Sequence, residues 1–402
     1  MIPLAAARTV VLEGCPPLSA RPIALDEALG CVTAEPVVAS EPVPAFANTA
    51  MDGYAVRAAD TVGAPVRLAV AGTLAAGTAP DTELGPGQAV RIMTGAPIPP
   101  GCDAVVMVER TRTEGAEVVI EEAASPGDHL RQAGEDIAAG QEVFPARTVL
   151  GPGHLGVLAS LGRGAVVAFP RARVGVLSTG DELVDAAGAL LPGQVRDSNR
   201  HTLLALLARS DCQPVDLGIV PDSEAAITAA IQDALPICDA VLASGGVSMG
   251  DFDYVKVVLD RLSAGSMRWM QVAIRPAKPF AFGIIEGRPV FGLPGNPVSS
   301  MVSFELFARP GLRAMTGHDE LDRVHVEAVA DEDLRRRPDG KLHFFRVVAT
   351  PGKDGRFHVR SSGGQGSHQL SAMALGNALA LIPDGEGVGA GETVTTMLLG
   401  PF

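Results

Sequence analysis

The sequence lacks the features that mark membrane-spanning, disulfide-rich and zinc-binding proteins. No apolar run approaches the roughly 20 residues of a membrane-spanning helix, and no charged segment precedes an apolar one at the N-terminus. The five cysteines are odd in number and scattered, with no CxxC or Cys/His ligand spacing, so neither a disulfide framework nor a zinc site is expected. These absences favour a reducing, cytoplasmic location.

Positive charge is also scarce. The formal net charge is −14, which argues against a nucleic-acid partner or an anionic membrane surface. Any anionic ligand must therefore be held by local basic groups, backbone N–H groups or a metal ion. Aromatic residues make up only 4%, but hydrophobic residues reach 47% over 402 residues, which indicates a globular chain of two to four domains.

The region from about 170 to 316 alternates between strand and helix patterns. The predicted strands are 171–180, 214–220, 239–244 and 288–293, with a hairpin across 268–285; the predicted helices are 198–210, 222–235, 251–262 and 297–310. Strands that alternate with helices imply right-handed βαβ units and a doubly wound parallel sheet covered on both faces. We therefore predict a central α/β domain over 169–316.

The flanking regions have different patterns. Residues 46–130 and 317–402 carry short runs rich in Val and Thr between Gly, Pro and Asp turns, which predict an inserted β domain and a C-terminal β-barrel-like domain. Residues 1–45 and 131–168 each contain a helix-like stretch, ALDEALGCV (24–32) and GHLGVLASLG (153–162). We expect them to form one discontinuous N-terminal domain of mixed structure.

Four turns of the central region carry residues suited to ligand binding. In an open parallel sheet, ligands bind beyond the carboxyl ends of the strands. The polar and glycine residues that follow the four strands are Ser178, Thr179, Asp181 and Glu182; Asp222; Gly245, Gly246, Ser248, Asp251 and Asp253; and Gly295, Asn296 and Ser299. Since all four turns face one edge, the sequence predicts a site there.

The residue types at these turns suggest the chemistry. Glycine turns that lead into helix N-termini offer free N–H groups to a phosphate. The nearby carboxylates would repel that phosphate unless a hard divalent cation such as Mg²⁺ bridged them. Any single turn could instead be an ordinary helix cap or glycine turn. Four in succession favour a Mg²⁺-dependent phosphate site.

A separate basic turn lies in VAIRPAKPFAFG (272–283). Arg275 and Lys278 stand beside Pro276 and Pro279, which stiffen the turn and fix where the cations point. This turn could hold an oxyanion or be a rigid surface turn. Lys278 is one of only four lysines in the chain.

Nine segments together resemble the molybdopterin molybdenumtransferase family, which includes bacterial MoeA and the E domain of gephyrin-type proteins. They are NTAMDGYAV (48–56), RIMTGAPIP (91–99), RQAGEDI (131–137), VGVLSTGDEL (174–183), GQVRDSN (193–199), ASGGVSMGDFDY (243–254), RPAKPFAFG (275–283), GLPGNPVS (292–299) and GGQGSHQLSAM (363–373). The family usually has glycine at Ala277 and often lysine at Arg275. It commonly has serine at Thr49 and alanine at Gly376.

The resemblance implies a specific transferase reaction. Family members cleave adenylylated molybdopterin in a Mg²⁺-dependent step and insert molybdate, releasing molybdenum cofactor and AMP. It also implies a cytoplasmic homodimer whose active site is shared between subunits. A molybdopterin adenylyltransferase and a molybdoenzyme or cofactor carrier are possible partners, with no nucleic acid or membrane.

The resemblance also implies roles for individual residues. Glu182, Asp222 and Asp253 would be the catalytic and metal-binding residues. Substrate would contact Asp52 and Thr94 of the partner subunit, together with Thr179, Gly245, Gly246, Ser248, Asp251, Asn296 and Ser299. Molybdate would contact Arg275, Lys278, Pro279, Arg346 and Ser367.

Two alternative functions remain. A molybdopterin adenylyltransferase resembles the central domain alone, so the flanking domains and the MDGYA segment argue against it. A non-catalytic scaffold would keep the fold without the chemistry, and the presence of Glu182, Asp222, Asp253 and Lys278 argues against that loss.

Overall fold

A computed structural model describes residues 1–80, 83–246 and 254–400. The chain forms two compact units. The larger consists of Met1–Ile23, Gly30–Ala34 and Val167–Phe402, and the smaller of Ala24–Leu29 and Glu35–Val166. In the described part of the chain, no helix is both long and apolar enough to cross a membrane.

A six-stranded sheet is the centre of the larger unit. Its strands are β1 (Arg173–Thr179), β2 (Gln213–Val220), β3 (Ala240–Ser244), β4 (Arg268–Gln271), β5 (Pro279–Ile285) and β6 (Arg288–Leu293), in the order β2-β1-β3-β6-β5-β4. Strands β2, β1, β3 and β6 are parallel, whereas β5 and β4 are antiparallel additions at one edge. The predicted doubly wound sheet and the hairpin across 268–285 are confirmed.

Alternation along the strands explains why both faces of the sheet are covered. Val174 and Val176 of β1 pack into one apolar cluster, and Leu177 packs into the other. Side chains of successive strand residues point to opposite faces, so a strand buried on both sides is apolar throughout. Helices pack against both clusters through residues one turn apart, such as Leu203 and Leu207 on one face and Ile227 and Ile231 on the other.

The helices of the larger unit are α1 (Leu4–Glu13), α2 (Asn199–Ala208), α3 (Glu224–Ala234), α4 (Tyr254–Leu262), α5 (Pro297–Ser303), α6 (Arg309–Met315) and α7 (Leu370–Leu375). Helices α2 to α5 confirm the predicted pattern. The helix predicted over 297–310 runs further, because a π-helical segment, Phe304–Ala308, joins α5 to α6. The start of the helix predicted over 251–262 lies outside the described residues.

A second sheet forms the C-terminal part of the larger unit. Its strands are Ile274–Arg275, β7 (His325–Ala330), β8 (Leu342–Pro351), β9 (Phe357–Ser361), β10 (Ala378–Ile382) and β11 (Thr393–Leu398). Pairing of β8 with β10 closes β8-β9-β7-β11-β10 into a barrel. The predicted barrel-like fold is therefore confirmed. Four more two-residue strands pair as Leu183–Val184 with Val195–Arg196 and Leu334–Arg335 with Gly387–Val388.

The smaller unit is built mainly of strands. Its six-stranded sheet contains Gly53–Val56, Val66–Leu74, Gln88–Ile92, Ala104–Met107, Thr111–Glu114 and Glu117–Ile120. Shorter strands are Asn48–Thr49 with Leu130–Arg131 and Val37–Val38 with Glu142–Phe144. A further sheet of Arg21–Ala24, Val32–Thr33 and Ala165–Phe169 consists mostly of residues of the larger unit. The helix Pro152–Ser160 confirms the helix-like stretch at 153–162.

The N-terminal region departs from the sequence prediction. The prediction of a helix at 24–32 is wrong, because the ends of this stretch belong to the strands Arg21–Ala24 and Val32–Thr33 and only turns form between them. Gly30 leaves helical geometry with a φ of 78°. A Cβ at Gly30 would lie 2.8 Å from Asp211 Oδ1, so the Asp211 side chain would have to shift to admit one. Met1–Ile23, which we expected in a domain with 131–168, pack in the larger unit through α1. The boundaries of the four domains stay a prediction.

Candidate functional site

A cavity of about 860 Å³ opens at the carboxyl edge of the central sheet. The turns after β1, β2, β3 and β6 all contribute to its wall, as the connectivity of a parallel sheet requires. Of the residues predicted from the sequence, it is lined by Ser178, Thr179, Glu182, Asp222, Gly245, Gly246, Pro279, Gly295 and Asn296. Ser248, Asp251 and Asp253 lie outside the described residues. Ser299 is buried in α5 and is not among the lining residues.

One corner of this cavity is acidic. Burial raises the pKa of Asp222, and the neighbouring carboxylates of Asp181 and Glu182 raise it further. The Asp222 N–H donates to Asp181 Oδ1 at 3.1 Å, which holds the turns after β1 and β2 together. The Glu182 carboxylate lies against the backbone of Gly180, where a Cβ would be 2.5 Å from the nearer oxygen. Mutual repulsion in this corner would be relieved by a bound cation.

These carboxylates fit Mg²⁺ only in part. Among residues 1–80, 83–246 and 254–400, no group of three or more His, Cys, Asp or Glu side chains is spaced to hold a metal ion. Mg²⁺ commonly binds one or two protein carboxylates and takes its remaining ligands from phosphate and water. Asp222 and Glu182 satisfy that smaller requirement.

A glycine turn also lines the cavity. Gly245 and Gly246 have φ values of 99° and 66°, a conformation that favours glycine. A Cβ at Gly245 would lie 2.8 Å from the carbonyl oxygen of Thr179, so the turns after β1 and β3 meet backbone to backbone. A phosphate group could therefore approach this turn closely without meeting a side chain.

The sequence analysis gave no role to several lining residues, among them Asp197, Asn199 and Ser244. Asp197 and Asn199 line the cavity from the start of α2, and Ser244 lines it from the end of β3. The Asn199 side chain bonds to the turns after β3 and β6. The signal was the GQVRDSN segment (193–199), which combines an acid, a hydroxyl and an amide immediately before a helix.

A buried arginine, Arg200, holds the lining residue Asp197 in place. Arg200, whose side chain is 7% exposed, pairs through Nε with Asp197 at 3.1 Å and through Nη2 with Asp185 at 2.9 Å. Its Nη1 pairs with Asp216 of β2. Asp197 also accepts from Ser178 Oγ at 3.1 Å. This network locks α2, β1, β2 and the segment after Glu182 into one arrangement.

The residues predicted to bind molybdate do not all line one cavity. A second cavity, of about 280 Å³, is lined by Arg275 and Arg346 together with the run Arg335–Arg336–Arg337. Pro279 instead lines the larger cavity, and Lys278 is exposed. The Ser367 carbonyl accepts from the N–H of Val298 at 3.1 Å, so its loop lies against the start of α5.

Arg346 is a buried cation without a carboxylate partner among the described residues. The residue is 1% exposed, and burial lowers the pKa of its guanidinium to about 10. Its Nη2 donates to the carbonyls of Gly364 and Gly366 at 2.9 and 3.1 Å, while its buried Nε bonds to no described residue. A buried charge of this kind is costly without an anion.

Three departures from the family pattern have structural explanations. Ala277 has a φ of 71°, which explains why glycine suits that position. Thr49 is fully buried and its hydroxyl bonds to the backbone of Met51, a contact that serine would also make. Gly376 is tightly enclosed, since a Cβ would lie 3.0 Å from the carbonyl oxygen of Val347.

In the smaller unit, Asp52 and Thr94 are bonded directly to each other. Asp52 Oδ1 accepts from both the N–H and the hydroxyl of Thr94, at 2.7 and 2.8 Å. These bonds lower the pKa of Asp52. The pair is exposed, and it joins two segments predicted to contact substrate.

Comparisons with known proteins cover nearly the whole chain. Family models match for the MoeA N-terminal region, domains I and II (residues 2–162), a probable molybdopterin binding domain (175–314) and the MoeA C-terminal region, domain IV (327–399). A molybdopterin molybdenumtransferase from Haemophilus influenzae is 40% identical over 98% of both chains. One named molybdopterin molybdenumtransferase 2, from Mycobacterium tuberculosis, is 38% identical over 93% of both.

Solved structures agree with these sequence matches. Two crystal structures of the MoeA protein from Pyrococcus horikoshii, each 29% identical, match with TM-scores of 0.79 and 0.76. They cover 100% and 99% of this chain, and the chain covers 100% of each. The chain therefore belongs to the MoeA family of molybdopterin molybdenumtransferases.

Proposed function

We propose that this protein is a transferase of molybdenum cofactor biosynthesis that cleaves adenylylated molybdopterin and inserts molybdate, giving molybdenum cofactor and AMP. The observation that carries the proposal is the larger cavity, whose lining includes both the Gly245–Gly246 turn and the carboxylates of Glu182 and Asp222. Phosphate-binding backbone and uncompensated carboxylates at one site suit a phosphoric anhydride that arrives with a divalent cation.

The residues of this chain have distinct roles in the proposal. Glu182 and Asp222 would hold Mg²⁺, and Asp253 would complete the catalytic set. Bound Mg²⁺ would supply charge neutralisation for the phosphate oxygens. The glycine turn would hold the phosphate by its N–H groups, while Thr179 and Asn296 orient the remainder of the substrate.

The second cavity supports oxyanion binding. Arg346 carries a buried charge with no carboxylate partner in the described ranges, and Arg275 and Arg337 add exposed positive charge to the same lining. The lining also contains the carboxylate of Asp339, which is already paired with Arg336 and Lys341, each at 2.7 Å. A tetrahedral dianion such as molybdate would neutralise this charge and accept hydrogen bonds from guanidinium groups. Lys278 and Ser367 would complete the predicted set of molybdate ligands.

The shared active site is part of the same proposal. Asp52 and Thr94 form a preorganised acceptor and hydroxyl pair, and we propose that they reach the substrate of the other subunit in a cytoplasmic homodimer. A heterodimer of an Asp52→Ala subunit with an Asp253→Asn subunit tests this, because one wild-type site should survive. An inactive heterodimer made from active parent enzyme would contradict sharing.

The reaction is tested by supplying adenylylated molybdopterin, Mg²⁺ and molybdate and measuring AMP. The wild type should release AMP, and Asp222→Asn should release it much more slowly while still binding AMP. The adenylyltransferase alternative is tested by supplying molybdopterin and ATP and measuring the release of pyrophosphate. Absence of AMP from the wild type would refute the transferase proposal.

A further inference from the structure

The side-chain amide of Asn199 joins three turns of the larger cavity. Its Nδ2 lies 2.8 Å from Ser244 Oγ, at the end of β3, and 2.7 Å from the carbonyl oxygen of Gly295, after β6. Asn199 itself begins α2. All three residues line the cavity.

The chemistry of these partners determines the direction of both hydrogen bonds. A backbone carbonyl can only accept, so the Asn199 atom facing Gly295 must be the NH₂ group and not the side-chain oxygen. That same NH₂ group faces Ser244, and an amide NH₂ can only donate. The Ser244 oxygen must therefore accept from Asn199.

This direction leaves the Ser244 hydroxyl proton available for another acceptor. Ser244 is 3% exposed, and in the described part of the chain its hydroxyl bonds only to Asn199. A buried hydroxyl proton without an acceptor is unfavourable. Ser244 lines the cavity next to the Gly245–Gly246 turn, so a ligand bound there could supply the acceptor.

We propose that Ser244 donates its hydroxyl proton to a phosphate oxygen of the substrate, and that Asn199 is the positioning residue that fixes this direction. The inference rests on the proposed function, because that function places a phosphoric anhydride at the glycine turn. It adds a neutral donor to a site already crowded with carboxylates. A neutral donor suits this place because it stabilises the anion without competing for the cation.

The alternative is that Asn199 only ties the three turns together. The two views differ in how substitutions combine. If Asn199 has only a structural role, replacing it should weaken the binding of every ligand of the cavity, whether or not Ser244 carries a hydroxyl. If Asn199 positions Ser244, replacing it should lower the affinity only for ligands that contain phosphate, and only while the Ser244 hydroxyl is present.

The test measures AMP affinity by calorimetry for the wild type, Ser244→Ala, Asn199→Ala and the double variant. Adenosine serves as the ligand without phosphate, and inorganic pyrophosphate as the ligand without adenosine. Ser210→Ala is the matched control, since Ser210 is a buried serine outside the cavity. Thermal unfolding of every variant identifies any that fail to fold, and Ser244→Ala tests the donor independently of Asn199.

We expect Ser244→Ala to lower the affinities for AMP and pyrophosphate about tenfold, which is the effect of one hydrogen bond to a charged group. The affinity for adenosine should be unchanged. Asn199→Ala should lower the AMP affinity by less than Ser244→Ala does. The double variant should bind AMP no more weakly than Ser244→Ala. Ser210→Ala should bind like the wild type.

Two outcomes would overturn the inference. Unchanged AMP affinity in Ser244→Ala would remove Ser244 from the site, and additive losses in the double variant would remove the positioning role of Asn199. Failure of the proposed function gives a different result. In that case the wild type would not bind AMP, while pyrophosphate binding would still depend on Ser244.

Discussion

Replacing Gly245 by alanine should destabilise the larger unit and close part of its cavity. Gly245 has a φ of 99°, and a Cβ there would lie 2.8 Å from the Thr179 carbonyl oxygen and 3.1 Å from its Oγ1. A side chain in such a backbone conformation costs on the order of 1–3 kcal/mol. The carbonyl belongs to a paired strand and cannot move aside, so the two effects together should cost about 2–4 kcal/mol.

The only tryptophan of the sequence makes this measurable. Trp269 lies in β4 of the same sheet, with its Nε1–H donating to Asp260 Oδ1 at 2.7 Å. Its fluorescence during urea unfolding therefore reports the larger unit, independently of the smaller one. The chain has more than one compact unit, so a single global transition is not assumed.

Gly295→Ala is the matched control. Gly295 lines the same cavity, but its φ is not positive, and its Cβ would meet only the Gly245 Cα, at 3.9 Å. That is an ordinary contact, so the free energy of unfolding should change by less than about 1 kcal/mol. Equal loss of stability in Gly245→Ala and Gly295→Ala would refute the argument from backbone geometry.

Three further predictions concern charged groups. Arg200→Met should lower the unfolding free energy by about 3–5 kcal/mol, because it leaves a buried carboxylate unpaired; the same fluorescence assay measures it. Asp181→Asn should move the acid limb of the pH–activity profile to lower pH, because it removes one of the repulsions that, after burial, raise the pKa of Asp222; an unmoved limb would contradict this. Arg346→Gln should raise the molybdate concentration for half-maximal activity at least about tenfold, with AMP affinity unchanged.

The central sheet could be predicted because its information is local. Runs such as VGVL (174–177) and AVLA (240–243) are apolar at every position, and the helices between them repeat apolar residues at i and i+4. A segment can imitate that local signal without forming the structure. ALDEALGCV has helical spacing, but Gly30 turns the chain and prevents a helix from continuing.

The polar architecture of the site could not be predicted from local patterns. Arg200 pairs with Asp185, Asp197 and Asp216, which stand in three separate segments of the chain, and no periodicity relates the three carboxylates. Barrel closure by pairing of β8 with β10 likewise depends on contacts between segments distant in the sequence. The resemblance named the GQVRDSN segment, but only the geometry of Asn199 indicates what it does.

The two cavities differ in the sign of the charge that a ligand must neutralise, within a chain of net charge −14. The larger cavity has carboxylates at Glu182 and Asp222, so any phosphate there needs neutral donors and a cation of its own. In the second cavity, the buried Arg346 has no carboxylate partner among the described residues, so an oxyanion can bind by neutralising it. A divalent cation would strengthen phosphate binding at the first and be repelled at the second. Omitting Mg²⁺ should therefore weaken pyrophosphate binding while leaving molybdate affinity unchanged, and equal Mg²⁺ dependence of both anions would contradict this separation.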